Sequence, residues 1–137
     1  MEINYSDKRI TFEKKLNELD RFTINFTSVL NKLKIKYVVV SGYVSILFGR
    51  NRSSEDIDLI IERISVEKFR ELWQELEKEF ECIITENCEN AYDNYLTEGY
   101  SIRFSEKRKF VPNMEIKFPK TELDKWTLDN RLKNFVQ

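Results

Sequence analysis

Val38-Val39-Val40-Ser41-Gly42-Tyr43-Val44-Ser45-Ile46-Leu47-Phe48-Gly49-Arg50-Asn51-Arg52-Ser53-Ser54-Glu55-Asp56-Ile57-Asp58-Leu59-Ile60-Ile61 is the stretch on which the fold turns. Its two ends are apolar and β-branched, which predicts short buried strands at Tyr37 to Val40 and Ile57 to Ile61. Ser41-Gly42 ends the first strand. Val44 to Phe48 is a short apolar segment that Gly49 closes as a helix C-cap, and Asn51 to Glu55 is a polar loop. Asp56 and Asp58 then stand two apart at the start of the second strand. Residues two apart on a strand share a face, with Cα atoms roughly 6.6 Å apart, so both carboxylates can close on one hard cation. Ile57, Leu59 and Ile61 point the other way, into a core. The two like charges repel unless something positive lies between them, and magnesium, with its preference for oxygen ligands, meets that need. Asp-x-Asp is also common as a solvated loop, so the pair alone decides little.

The upstream residues add chemistry. Gly42 sits between a buried strand and a helix start, where exposed backbone N–H groups can receive a phosphate. The Ser41 hydroxyl adds a donor, Arg52 can approach an anionic phosphate, and Ser54 can order the loop or reach a nucleotide. The same residues also fit an ordinary strand-turn-helix with a surface arginine.

Working outward, 137 residues suggest one domain, and 41% apolar residues suffice for a real core. The 23 basic and 24 acidic residues nearly cancel, so no global attraction to nucleic acid or membrane is expected. The absence of histidine removes Ser-His-Asp and Cys-His catalysis. Cys82 and Cys88 alone do not make the usual structural zinc site. Met1 to Ile10 lacks the apolar core of a signal peptide, and no run approaches the ~18 apolar residues of a membrane span. The expectation is a cytoplasmic protein with free thiols and no membrane partner.

Phe22, Phe26, Val29, Leu30 and Leu33 recur at helical steps behind Asp20, which predicts a capped helix in an N-terminal segment of about 12–34. Ser65 caps a second helix with the stripe Phe69, Leu72, Trp73, Leu76 and Phe80. Further strands are expected at Cys82 to Thr85, around Ser101 to Phe104, and at Met114 to Phe118, with Lys107 to Asn113 as a hairpin turn. This core spans about 36–118. A C-terminal segment of about 119–137 fits helix or extended chain from Thr121. The sum is an α+β domain, a mixed sheet with helices packed mainly on one face.

Val38 to Ile61 resembles the nucleotidyltransferase superfamily typified by DNA polymerase β, and most of all its small prokaryotic branches. Those are the minimal nucleotidyltransferases of toxin–antitoxin pairs and the abortive-infection-type enzymes. The family pattern is an apolar strand, Gly-Gly or Gly-Ser opening a helix, a loop with Arg-x-Ser/Thr, then Asp-h-Asp on the next strand, where h is apolar. Gly42, Arg52, Ser54, Asp56 and Asp58 match it. The resemblance implies the nucleotidyltransferase fold, with Mg²⁺ or Mn²⁺ on Asp56 and Asp58. It implies a nucleoside triphosphate, ATP in the first instance, cradled by Ser41 and the Gly42 backbone, with Arg52 balancing charge. The second family position, usually Gly or Ser, is Tyr43 here, which narrows the space for the triphosphate or stacks near the base.

The family also carries a third acidic residue, usually Asp, on a later strand. Glu115 in Met114-Glu115-Ile116-Lys117-Phe118 is the candidate, as general base or second-metal ligand. Alternation turns Met114, Ile116 and Phe118 inward and leaves Glu115 on the other face with Lys117, which also fits a solvated strand residue paired with a lysine. Asp124 and Asp93 are weaker candidates. Lys107-Arg108-Lys109 reads as a solvated turn or as a contact for nucleic acid or substrate phosphate. Tyr92, Tyr95 and Tyr100 read as half-buried sheet residues or as a pocket mouth. Two functions remain open: transfer of a nucleoside monophosphate to an unnamed acceptor, or an inactive, antitoxin-like binding module that keeps the fold. Either fits a chain completed by a protein partner or by homodimerisation.

Overall fold

The alternation of Asp56–Ile61 sets the frame. Ile57, Leu59 and Ile61 are buried on one face, while Asp56 and Asp58 are exposed on the other. In the computed structural model, which describes residues 18–40 and 56–130, the elements run α1 (Glu18–Lys32), β1 (Tyr37–Val39), β2 (Asp56–Ile61), α2 (Val66–Leu76), β3 (Phe80–Cys82), and α3 (Cys88–Ala91) continuing into a π-helical turn (Tyr92–Leu96). They continue with β4 (Ile102–Glu106), β5 (Asn113–Lys117) and α4 (Glu122–Asp129). The five strands form one mixed sheet in the order β1-β2-β5-β4-β3. Only β2 and β5 are parallel; the other three pairings are antiparallel. The protein is α+β.

One face of the sheet carries the main core. Phe22, Phe26 and Leu30 of α1 and Phe69, Leu72, Trp73 and Leu76 of α2 pack on the inward residues of β2, β4 and β5. Phe104 joins the layers: its ring lies 5.8 Å from Phe26 and 5.7 Å, edge-on, from Trp73. Edge-to-face and tilted ring pairs at such spacings add to the area they bury. The other face has a smaller cluster, in which Leu128 of α4 covers Val38 and Ile60, with Val40 beside them. Among the described residues, helices therefore lie on both faces, three on one and α4 over the β1–β2 end of the second. Among the described residues, no helix covers the carboxylate half of that second face, called the open face below.

Local chemistry explains the element ends. Ser65 caps α2 by accepting from the Lys68 N–H, as its position implied. The described part of the tail from Thr121 forms a helix, Glu122–Asp129, because Thr121 and Asp124 form a reciprocal capping box. Asp124 is thereby a structural residue: its Oδ2 accepts from Lys120 N at 2.9 Å and Thr121 N at 3.3 Å. Asp20 lies inside α1, whose described part already starts at Glu18, so it is no cap.

Two expectations shift by a few residues. Phe80 does not extend the α2 stripe. The helix ends at Leu76, and Phe80 opens β3 instead, buried against Phe22 and Phe26. The strand expected at Cys82 to Thr85 consequently begins and ends earlier, leaving Ile83 and Ile84 partly exposed. The Lys107 to Pro112 segment does turn β4 into β5, with Arg108 at φ 67.

Because Phe104 ties the sheet to both main helices, Phe104→Ala should cost about 3–5 kcal/mol of stability. Urea unfolding that shows a loss under about 1 kcal/mol would contradict this layered core.

Candidate active site

Register brings the predicted residues together. Along the parallel β2–β5 pair, Asp56 aligns with Asn113 and Asp58 with Glu115. Neighbouring strands are about 4.8 Å apart, and side chains at paired positions share a face. Glu115 therefore stands beside Asp58 on the open face. The Asp58 backbone is held from the β1 side as well, where its carbonyl accepts from Val40 N at 3.0 Å. Val40, Asp58, Leu59, Glu115 and Lys117 line a small cleft of about 90 Å³. A larger hollow of about 820 Å³ follows the β3 edge past Trp73, Ile84 and Phe110, at the opposite edge of the sheet; no set of acidic side chains able to hold a metal ion converges there or elsewhere among the described residues.

Crowded negative charge marks the cleft. Partial burial is the main force holding the Asp58 carboxyl above its ordinary value of 3.8. Repulsion from Glu115, a hydrogen bond with it, and repulsion from Asp56 add to the shift, while Lys117 opposes it. Lys117 is shared, since its ammonium also lies 3.8 Å from Asp124.

Two residues that the sequence reading missed complete the group. Arg103 on β4 is registered with Glu115. Its guanidinium spans two of the three carboxylates, with Nη2 3.3 Å from Glu115 Oε1 and Nη1 3.5 Å from Asp56 Oδ2. Nη1 also donates to Asn113 Oδ1 at 3.3 Å. Ser101 donates its hydroxyl to Glu115 Oε2 at 2.6 Å. The signal for both was the alternation Ser101, Arg103, Ser105 along β4, but which strand they would face depended on a pairing distant in sequence.

Asp56, Asp58 and Glu115 carry the oxygen donors that a hard divalent cation takes, but as placed they do not converge into a set able to hold one. Arg103 supplies positive charge to both Asp56 and Glu115.

The other candidates separate. Ser41, Gly42, Tyr43, Arg52 and Ser54 lie outside the described residues. Asp93 sits in the π-helical turn and Asp124 in its cap, so neither belongs to the group. Tyr92 packs on Phe69 and Phe118 and donates its hydroxyl to the Ile64 carbonyl at 2.7 Å, as a core residue does. Lys109 is engaged by Glu106 and Glu18, and the Arg108 N–H by Glu81, so the basic turn serves to pin β4–β5 to its neighbours. Cys82 and Cys88 are free thiols. Burial pushes both upward, Cys88 to about 11, which leaves neither activated as a nucleophile. No helix among the described residues is long and apolar enough to cross a membrane.

Comparisons with protein-family models, with curated proteins and with solved structures find no match for this chain.

The charge crowding has a measurable sign. A carboxyl raised in the folded state contributes stability that is fully present below its unfolded value and lost as pH rises through the folded one. Asp58→Asn mimics the protonated form, so it should raise the melting temperature near pH 7 without metal. The gain should fade as pH falls toward about 3.5. A destabilised Asp58→Asn at neutral pH would show that Asp58 is instead a structural ion-pair partner.

Proposed function

We propose that the chain is a metal-dependent nucleotidyltransferase, moving a nucleoside monophosphate from a nucleoside triphosphate to an acceptor hydroxyl. The observation that carries this reading is the register of Asp58 with Glu115 on the open sheet face. Asp56 and Asp58 would hold a Mg²⁺ or Mn²⁺ ion. When bound, that ion supplies charge neutralisation and polarisation of the phosphoryl oxygens.

The chain's own residues account for the remaining steps. Glu115 takes the proton of the acceptor hydroxyl. The acceptor oxygen bonds to the α-phosphorus, the bond from that phosphorus to the bridging oxygen breaks, and pyrophosphate leaves. Ser101 and Arg103 hold the two oxygens of Glu115, a positioning that general-base transfer rewards. By the resemblance, Ser41 and the Gly42 backbone cradle the triphosphate, Arg52 balances its charge, and Tyr43 and Ser54 shape the nucleotide end. ATP is the first donor to try.

Arg103 favours a second reading. A guanidinium that already neutralises two of the three acids suits a fold retained without catalysis, as an antitoxin-like or regulatory binding module with a protein partner. Incubation with each labelled nucleoside triphosphate and Mg²⁺, with and without cell extract, separates the two.

Under the enzyme reading, label is transferred. Glu115→Gln lowers transfer by about 10²-fold or more while nucleotide binding persists, and Glu115→Asp retains activity. Transfer unaffected by Glu115→Gln would remove that residue from the chemistry. Mg²⁺ or Mn²⁺ should also raise the melting temperature of the wild type but not of the double variant Asp56→Asn, Asp58→Asn. Equal shifts in both proteins would count against the metal site.

A further inference from the structure

We propose that the hollow beyond the carboxyl ends of β2 and β5 binds a small phosphate monoester, held by Arg63, Lys120 and Lys125. The inference is independent of the nucleotidyltransferase reading. β2 and β5 run parallel, and the chain leaves them on opposite sides of the sheet. β2 leads to α2, which packs in the main core. β5 leads to α4, whose Leu128 lies on Val38 and Ile60 of the other face. Where neighbouring parallel strands send their connections to opposite faces, a crevice opens outside their carboxyl ends, and open sheets bind ligands there. Here the crevice is a hollow of about 330 Å³, lined by Arg63 just past β2, by Phe118 to Lys120 just past β5, and by Lys125 of α4. That volume falls in the range of about 300–1,000 Å³ usual for small-molecule sites. None of its lining residues lines the carboxylate cleft.

Charge selects the ligand. Three of the lining residues are cationic and one, Glu98, is acidic. Among the described residues, no carboxylate pairs with the Arg63 guanidinium or the Lys120 ammonium, and Lys125 has only the exposed Glu122, at 3.9 Å. A chain whose charges nearly cancel thus gathers uncompensated positive charge at one crevice. Arg63 is placed by the Phe118 ring, whose centroid lies 5.0 Å from its guanidinium carbon. That contact orients the fork and leaves its N–H donors unspent. Lys120 lies along Gly99, which sits at φ +90; a Cβ there would be 3.4 Å from the Lys120 Cε and 3.7 Å from its Nζ. Gly99 follows the π-helical turn, a feature frequent at functional sites. A phosphate monoester carries about 1.5 to 2 negative charges at pH 7 and three acceptor oxygens. It therefore answers several cations at once, where a carboxylate offers a single charge. The planar guanidinium takes two phosphate oxygens, and a lysine serves as a point charge for the third. Leu96 and Pro119 leave an apolar wall for the organic part of the ligand.

The test titrates the metal-free full chain with phenyl phosphate, inorganic phosphate and acetate at constant ionic strength, following amide resonances by NMR. Phenyl phosphate should shift the signals of Arg63, Thr97 to Gly99 and Lys120 saturably. Inorganic phosphate should shift the same signals with weaker affinity, and acetate should leave them in place. Arg63→Gln and Lys120→Gln should each weaken phenyl phosphate about three- to tenfold, the scale of one partly exposed charged contact. Lys107→Gln removes an equal charge at the hollow on the β3 edge and should leave the affinity unchanged. No saturable shift with either phosphate, or shifts confined to other segments, overturns the proposal. So does acetate binding as tightly as phenyl phosphate, or a loss in Lys107→Gln equal to that in Lys120→Gln. If Arg63→Gln fails to fold because it loses its contact with Phe118, Lys120→Gln decides: weaker binding supports the site, and unchanged binding overturns it.

Discussion

Parallel pairing of β2 with β5 is the constraint on which the site depends. It sets Asp58 beside Glu115, and it is enforced from the opposite side of the sheet. Ile57, Leu59, Met114 and Ile116 are all buried in the main core. A slip of one residue in β5 would turn Met114 and Ile116 to the open face and drive Glu115 and Lys117 inward. Burying an unpaired carboxylate costs several times what one more ladder bond contributes. The hydrophobic core therefore selects the register, and the register selects the carboxylate geometry. The antiparallel partners on either side, β1 and β4, extend the same logic: Val40 fixes the Asp58 backbone, and β4 delivers Arg103 and Ser101 to Glu115.

The open face crowds like charge on one side of the sheet. α4 shields Val38 and Ile60 but stops short of the carboxylates. Asp56, Asp58 and Glu115 share a small area with Arg103 and Lys117, and Lys117 divides its charge with Asp124. A sheet surface intended only to face water would space such charges apart. Local electrostatic tension of this kind, at one end of an otherwise consistently packed sheet, is common to functional sites and to structural ion-pair networks. The enzyme and binding-module readings differ in what relieves it: an incoming ion with its nucleotide, or Arg103 permanently.

Much of this was legible from residue patterns. Period-two alternation in Asp56–Ile61 and Met114–Phe118 named the inward residues of both strands and left the acids outside. The Ser65 cap, the α2 stripe through Leu76 and the β4–β5 turn followed from local chemistry. Non-local pairing was not legible. Nothing in Ser101 to Glu106 says that it lies between β5 and β3, so Arg103 could not be placed against Asp56 and Glu115. Phe80 misled because it satisfies the helical period of α2 and the first position of a strand equally well. Asp20 misled because a helix can begin ahead of a good capping residue when its stripe allows. The Thr121-x-x-Asp124 spacing is a capping-box signature that assigns Asp124 to the helix end rather than to the site.

The most direct test of the carboxylate face is where Mn²⁺ goes. Amide resonances near a bound Mn²⁺ ion broaden first as it is titrated with a non-hydrolysable nucleotide. A metal site on the open face predicts early, local loss of the signals from Asp56 to Leu59 and Asn113 to Ile116, two segments joined only by the β2–β5 register. Broadening scattered over the exposed glutamates of α2 and β3, with these two segments unaffected, would contradict it.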